Sequence, residues 1–201
     1  MPLFARVVAI SAALLAAAVG SLAADEGSRP APTADFACPP AGTVFTMSMP
    51  LAISAQPVFR NRVTIIGNDG LDCHVSSEAN GVYWLHAALV NRSVPAELQV
   101  AAENLWPLKV GNTARADVQY AGHQWTIRFN VASYERFTAR VGTYDAFKIV
   151  ETAEADGKFI YETTRWWSPD LRYTLSYRRD RVLNPNNDQF YEVAAVENHD
   201  P

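Results

Sequence analysis

HQWTIRFNV, residues 123–131, alternates without a break. Trp125, Ile127, Phe129 and Val131 fall on one side of the chain, and Gln124, Thr126, Arg128 and Asn130 on the other. A period of two places successive side chains on opposite faces of a strand, so this segment has one buried and one wet face.

The same reading extends in both directions. Ala114–Tyr120 leads into the quoted stretch through Gly122, which marks a hairpin. Leu171, Tyr173, Leu175 and Tyr177 alternate with Arg172, Thr174, Ser176 and Arg178. Tyr144–Thr152, Phe159–Trp167 and Gln189–Val196 are further strands. Toward the N-terminus, Thr43–Met49, Phe59–Ile66, Leu71–Ser76 and Val82–Val90 are β-rich, with Gly67–Gly70 and Asn80-Gly81 as turns.

Pro95–Asn104 reads as helix. Proline stands at its start, Glu97 lies in its first turn, and Leu98, Ala101, Ala102 and Leu105 recur at helical spacing. Nearly all connections are too short for a crossover between parallel strands. The expected fold is therefore all-β: a single strongly twisted antiparallel sheet of about ten strands, curled or half-barrel-like, with one short helix.

Residues 1–24 read as a secretory signal peptide: one positive charge at Arg6, an apolar run from Val7 to Val19, and small residues before Asp25. Residues 25–36 form a Pro-rich flexible arm, 37–197 a single β domain, and 198–201 a tail. Removing the signal takes the net charge from −4 to −5. That balance argues against nucleic acid as a partner. No membrane span is expected after cleavage, since the apolar run is shorter than the roughly 20 residues a spanning helix needs. Export leads to an oxidising compartment, where Cys38 and Cys73, the two cysteines, are expected to form a disulfide. Localisation is expected to be periplasmic or extracellular.

Motifs for catalysis are missing from the sequence. There is no G-x-S-x-G, no H-E-x-x-H and no glycine-rich phosphate loop, and His74, His86, His123 and His199 show no ligand spacing on one element. No catalytic residue, metal site or cofactor is expected. Glu151, Glu154, Asp156 and Glu162 read as a solvated hairpin end. Lys148 shares a face with Tyr144, Ala146 and Val150, so its ammonium is expected either to snorkel to water or to pair with a carboxylate on a neighbouring strand.

The aromatic residues are the candidates for binding. Trp166 and Trp167 are adjacent on a strand and so point to opposite faces. Alternation from Phe159 and Tyr161 turns Trp167 to the core. Trp166 then packs against a loop or an arginine stem such as Arg172 or Arg178, or forms a rim for an apolar ligand or glycan. If the sheet curls without closing, Trp125, Ile127, Phe129, Tyr173 and Leu175 line an apolar trough. Otherwise that face is core, filled by the helix or a second sheet. The candidate ligand-binding set is Trp125, Phe129, Trp166, Trp167 and Tyr173.

Three short motifs between Leu105 and Tyr177 resemble a group of exported bacterial β-proteins of unknown function. LWPLKVG (105–111) is similar to that group's F-P-L-x-V-G, VGTYDAFKI (141–149) to its A-G-T-F-x-A-x-K-I, and TRWWSPD (164–170) to its W-Y-x-P-x-x-G. Trp167 stands where tyrosine is usual, and the final glycine is missing. The group looks related in fold to periplasmic lipoprotein carriers, whose open half-barrel shields acyl chains. The resemblance implies non-enzymatic binding of an apolar small molecule or lipid on a curved sheet. The alternative is a structural module that docks to an envelope protein or glycan through an edge strand or an exposed aromatic patch. The sequence leaves the oligomeric state open.

Overall fold

The computed structural model of the chain describes residues 32–49, 59–181 and 189–198. All belong to one compact unit, Ala31–Pro201. The signal segment, the arm up to residue 31 and the tail from residue 199 lie outside the described residues.

Among the described residues, eleven strands form one open antiparallel sheet, with a single short helix. The first group is β1 (Val44–Met49), β2 (Phe59–Asp69), β3 (Asp72–Ser77), β4 (Gly81–His86) and β5 (Val90–Asn91). Helix α1 (Ala96–Glu103) follows. The second group is β6 (Thr113–Tyr120), β7 (His123–Ala139), β8 (Gly142–Ala155), β9 (Lys158–Ser168), β10 (Tyr173–Arg181) and β11 (Gln189–Glu197). The order across the sheet is β5-β4-β3-β2-β1-β11-β10-β9-β8-β7-β6, so β5 and β6 are its edges. Two local meanders thus meet along β1 and β11, from Val44 opposite Glu197 to Ser48 opposite Glu192.

The strand at residues 123–131 is present, with Ile127, Phe129 and Val131 buried on one face. It continues to Ala139 because a bulge between Val131 and Ser133 absorbs a register shift instead of ending the pairing. The expected strand Val82–Val90 is divided into β4 and β5, since Ala87 and Ala88 take φ of 48° and 57°. The first turn is tighter than expected: β2 runs through Asp69, leaving only Gly70 and Leu71 between the strands, and Gly67 borders a bulge. In β10 a shift between Thr174 and Ser176 breaks the alternation, and Leu175 and Ser176 are both buried.

The sheet curls strongly without closing. The end of the β7–β8 hairpin reaches β11, three places away, where the Val141 amide donates to the Val193 carbonyl at 3.2 Å. Gly142, the first residue of β8, has φ +141°, and a Cβ there would lie 3.3 Å from the Tyr144 ring.

Two hydrophobic clusters result. One gathers Ile127, Phe129 and Val131 of β7, Phe147, Ile149 and Ala153 of β8, and Trp167 of β9 beneath Leu98, Ala101 and Ala102 of α1. The other joins Phe45, Val63, Ile65 and Val75 to Leu175, Val193, Ala139 and Ala146. Cys38 and Cys73 form a disulfide that ties the segment before β1 to β3.

Candidate functional site

We call the face on which α1 packs the inner face. It carries Phe129, Ile149, Trp167 and their neighbours, and it is largely covered. Leu105 and Leu108 join α1 over it, and Trp106 meets Trp167 edge-on, with ring centroids 5.0 Å apart. The Trp106 indole donates to the Ala87 carbonyl at 3.0 Å, which fastens this cover to the chain after β4. Of the two alternatives for this face, trough or core, it is mostly core, and Phe129 and Trp167 are buried in it. Burial of wide aromatic surface under a short helix is the inexpensive solution for an apolar sheet face.

The structure does not bring the candidate set together. Tyr173 lies in the other cluster, stacked on Phe45 at 3.9 Å. Trp167 faces the core as expected. Trp166, half-buried, stacks on Phe137 at 4.6 Å and donates from Nε1 to Glu135 at 2.8 Å. Its neighbours are thus the end of the β7–β8 hairpin, not Arg172 or Arg178. The Lys148 ammonium lies 5.8 Å from the Trp166 ring. Hydrogen bonds from Ser133 and Trp166, with the Lys148 charge nearby, hold the Glu135 carboxyl below the ordinary carboxylate range.

Two of the set border open space: Tyr173 lines a cavity of about 140 Å³ beside Arg165 and Tyr191, and Trp125 lines a larger cleft. That cleft, of about 300 Å³, lies between α1 and the β6–β7 edge, lined by Leu98, Val118, Tyr120, Trp125, Ile127 and Tyr161 among others. The Trp125 indole donates to the Tyr120 carbonyl at 3.2 Å, which fixes the ring across the β6–β7 hairpin. Tyr120 is 62% exposed at the end of the edge strand.

Deeper on the inner face lies a charged cluster that the sequence reading missed. Glu151 belongs to no solvated hairpin end; it is 4% exposed. Its carboxylate accepts from Arg165 Nη1 at 2.7 Å and from the Tyr161 hydroxyl at 2.9 Å. Arg179 Nη2 stands 4.0 Å away, and its Nε donates to Thr163 at 3.0 Å. The Arg179 guanidinium lies 4.3 Å from the Tyr161 ring centroid, and the Arg165 guanidinium 5.3 Å from that of Tyr177. The signal was present in the sequence: Glu151 has the parity of Ile149 and Ala153, which face inward. Of the other acids, Asp156 is exposed beside His123, whereas Glu154, paired with Arg128, and Glu162 are partly buried.

Burial pushes the phenols of Tyr161, Tyr173 and Tyr191 above their ordinary range. They are neutral hydroxyl groups, able to donate, at any physiological pH.

A second polar assembly ties α1 to the sheet. His86, buried on β4, has Nδ1 2.7 Å from Asp72 of β3 and Nε2 2.9 Å from Glu103 of α1. Arg92 holds the other Asp72 oxygen. Glu103 sits in the last turn of α1, where no basic side chain is present and the helix dipole disfavours a carboxylate. His86 supplies the missing donor. Among the described residues no three His, Cys, Asp or Glu side chains converge as a metal-binding group, and no helix is long and apolar enough to cross a membrane.

No family profile matches the chain, and no curated protein matches it. Solved structures do. The hypothetical lipoprotein YmcC from Escherichia coli K12 aligns over 76% of this chain and 86% of its own, with a TM-score of 0.47 and 13% identity. A candidate lipoprotein from Parabacteroides distasonis aligns over 82% of this chain and 99% of its own, with a TM-score of 0.42 and 12% identity. An exported protein with a YmcC-like fold from Bacteroides fragilis gives the same coverages and TM-score at 11% identity. These scores stay below the level at which a likeness bears on function.

Proposed function

We propose that the mature chain is an exported, non-enzymatic protein of the bacterial envelope that binds an apolar ligand in the cleft between α1 and the β6–β7 edge. The observation that carries this reading is the cleft itself: about 300 Å³ of open space against Leu98, Val118, Trp125 and Ile127. That volume is at the lower end for small-molecule sites. It suits one hydrocarbon or aromatic group rather than a long acyl chain laid along the whole sheet. The Tyr161 hydroxyl, already committed to Glu151, leaves its ring toward the cleft. Export is supported by the signal-like first 24 residues.

The test is native mass spectrometry of protein purified from its own periplasm without detergent, followed by organic extraction. An extra mass that extracts as lipid or another apolar compound, and that is lost in Val118→Trp, supports the proposal. A bare mass, together with N-phenylnaphthylamine fluorescence that Val118→Trp leaves unchanged, refutes it. The exposure of Tyr120 at the end of edge strand β6 favours a second reading, in which a protein segment docks there. A pull-down from the envelope that survives Val118→Trp but not Tyr120→Ala would establish that reading instead.

A further inference from the structure

The two edges of the sheet differ in kind. β5 has two residues, too few to template another strand. β6 has eight, with no proline and no lysine. Its register against β7 is unbroken by any bulge, from Thr113 opposite Asn130 to Tyr120 opposite His123. Shortness, proline, lysine and bulges are the devices that keep edges from pairing, and β6 has none of them. Its charges, Arg115 and Asp117, are of opposite sign.

The turn that follows fixes which backbone groups of β6 are free. Ala121 and Gly122 form a two-residue turn with φ of 52° and 83°, so Tyr120 and His123 exchange both backbone hydrogen bonds. Pairing alternates along an antiparallel ladder, so Val118, Ala116 and Ala114 also turn their N–H and C=O groups to β7. Those of Thr113, Arg115, Asp117 and Gln119 point away from the sheet. These residues are exposed, and among the described residues no other element pairs with that side.

We propose that two copies of the mature chain pair antiparallel along β6, about a twofold axis at Ala116, into one continuous sheet. The strand is self-complementary there. Arg115 stands opposite the partner's Asp117, and Asp117 opposite the partner's Arg115. On the other face Ala114 meets the partner's Val118. Outward backbone groups face outward backbone groups in this register, which closes about eight hydrogen bonds. Moving the axis by one residue sets Arg115 against itself or Asp117 against itself, and like charges directly opposite are unfavourable. Within one copy Arg115 already donates to Asp117 from Nε at 2.9 Å and from Nη2 at 2.8 Å. Those bonds persist in the pair: the charges alternate in sign around a rectangle, and each guanidinium lies between two carboxylates. The free backbone row calls for a strand; the charges select which strand and in what register. This is the edge at which the second reading above places a protein segment. The occupant here is a second copy, and no ligand in the cleft is required.

The experiment is sedimentation velocity of the oxidised mature protein from about 5 μM to 0.5 mM, the range of weak and transient interfaces. A reversible monomer–dimer equilibrium is expected. Arg115→Asp and Asp117→Arg each set like charges across the axis and should weaken association by about tenfold or more. An equimolar mixture of the two variants restores opposite charges at both positions and should associate as wild type does. Hydrogen exchange at the Arg115 and Asp117 amides should slow as concentration rises. Far-UV circular dichroism checks the fold of each variant. Wild-type protein that stays monomeric throughout overturns the proposal, as does a dimer that leaves the Arg115 and Asp117 amides unprotected; neither result depends on a variant folding. With folded variants, undiminished association of both, or a mixture that does not associate, also overturns it. Arg115 and Asp117 do not line the cleft beside α1, so loss of the dimer and loss of a ligand there are separate results.

Discussion

Replacing His86 by phenylalanine keeps a buried ring and deletes both bonds that join β3, β4 and α1. The cost follows from the two partners. Asp72 is buried, and Arg92 retains only one of its oxygens, so the other loses its donor. A hydrogen bond to a charged group is worth about 1.5–3 kcal/mol. The Glu103 side chain is 40% exposed, and water replaces most of what it loses. That side adds about 0–1 kcal/mol, as for exposed ion pairs. The expected loss is therefore about 2–4 kcal/mol, and Glu103→Gln alone should cost about 1 or less. Urea denaturation measures both. With a slope of about 2 kcal/mol per molar, the His86→Phe midpoint should fall by about 1–2 M. Native-state hydrogen exchange should show α1 amides losing protection before those of β8. A loss under about 0.5 kcal/mol, or α1 protection unchanged, would refute the argument that this histidine clamps the helix to the sheet.

Other consequences can be checked on the same material. Cys38→Ser with Cys73→Ser opens a loop spanning 35 residues of sequence and should cost about 4 kcal/mol in the chain-entropy model, read by urea titration. Gly142→Ala places a Cβ at φ +141° within 3.3 Å of Tyr144, so a loss above about 1 kcal/mol is expected; an unchanged melting curve would contradict it. Burial raises the folded-state titration of Tyr161, Tyr173 and Tyr191 above the unfolded value of 10.0. Their contribution to stability is complete below that pH and declines as pH rises through the folded values. These tyrosines should therefore ionise together with unfolding; tyrosinate absorbance reaching completion while near-UV dichroism stays native would exclude it.

What could be read in advance was what depends on period and turn chemistry. Residues 123–131 gave the strand and its buried side because alternation is a local property. The helix was legible from Pro95, Glu97 and the spacing of Leu98, Ala101 and Ala102. Bulges were not, because each depends on the partner strand; hence β7 was cut short at Val131 and the alternation across Thr174–Tyr177 misled. The same limit applied to the sites. Trp167 could be assigned inward by parity, but which elements cover it depends on contacts distant in sequence. Glu151 had the inward parity of Ile149, yet a carboxylate looked solvated until Arg165 and Arg179 were seen to reach it. His86 stood alone in the sequence; Glu103 is 17 residues away and on a helix.

The seam between the two meanders has a consequence for the order of folding. Every other neighbouring pair of strands in the sheet is consecutive in the chain, but β1 must wait for β11, with Val44 pairing to Glu197. A ribosome delivers the first of these long before the second. Long loops close late, and contacts of wide sequence separation slow folding. The two meanders can form as independent hairpin stacks while β1 shows an unpaired edge, a template for pairing with another chain. Pulse-labelled hydrogen exchange should find the β1 and β11 amides protected last; protection of that seam ahead of the hairpins would rule out this order. The nascent protein is thus most exposed to wrong pairing at the strand destined for the middle of the sheet.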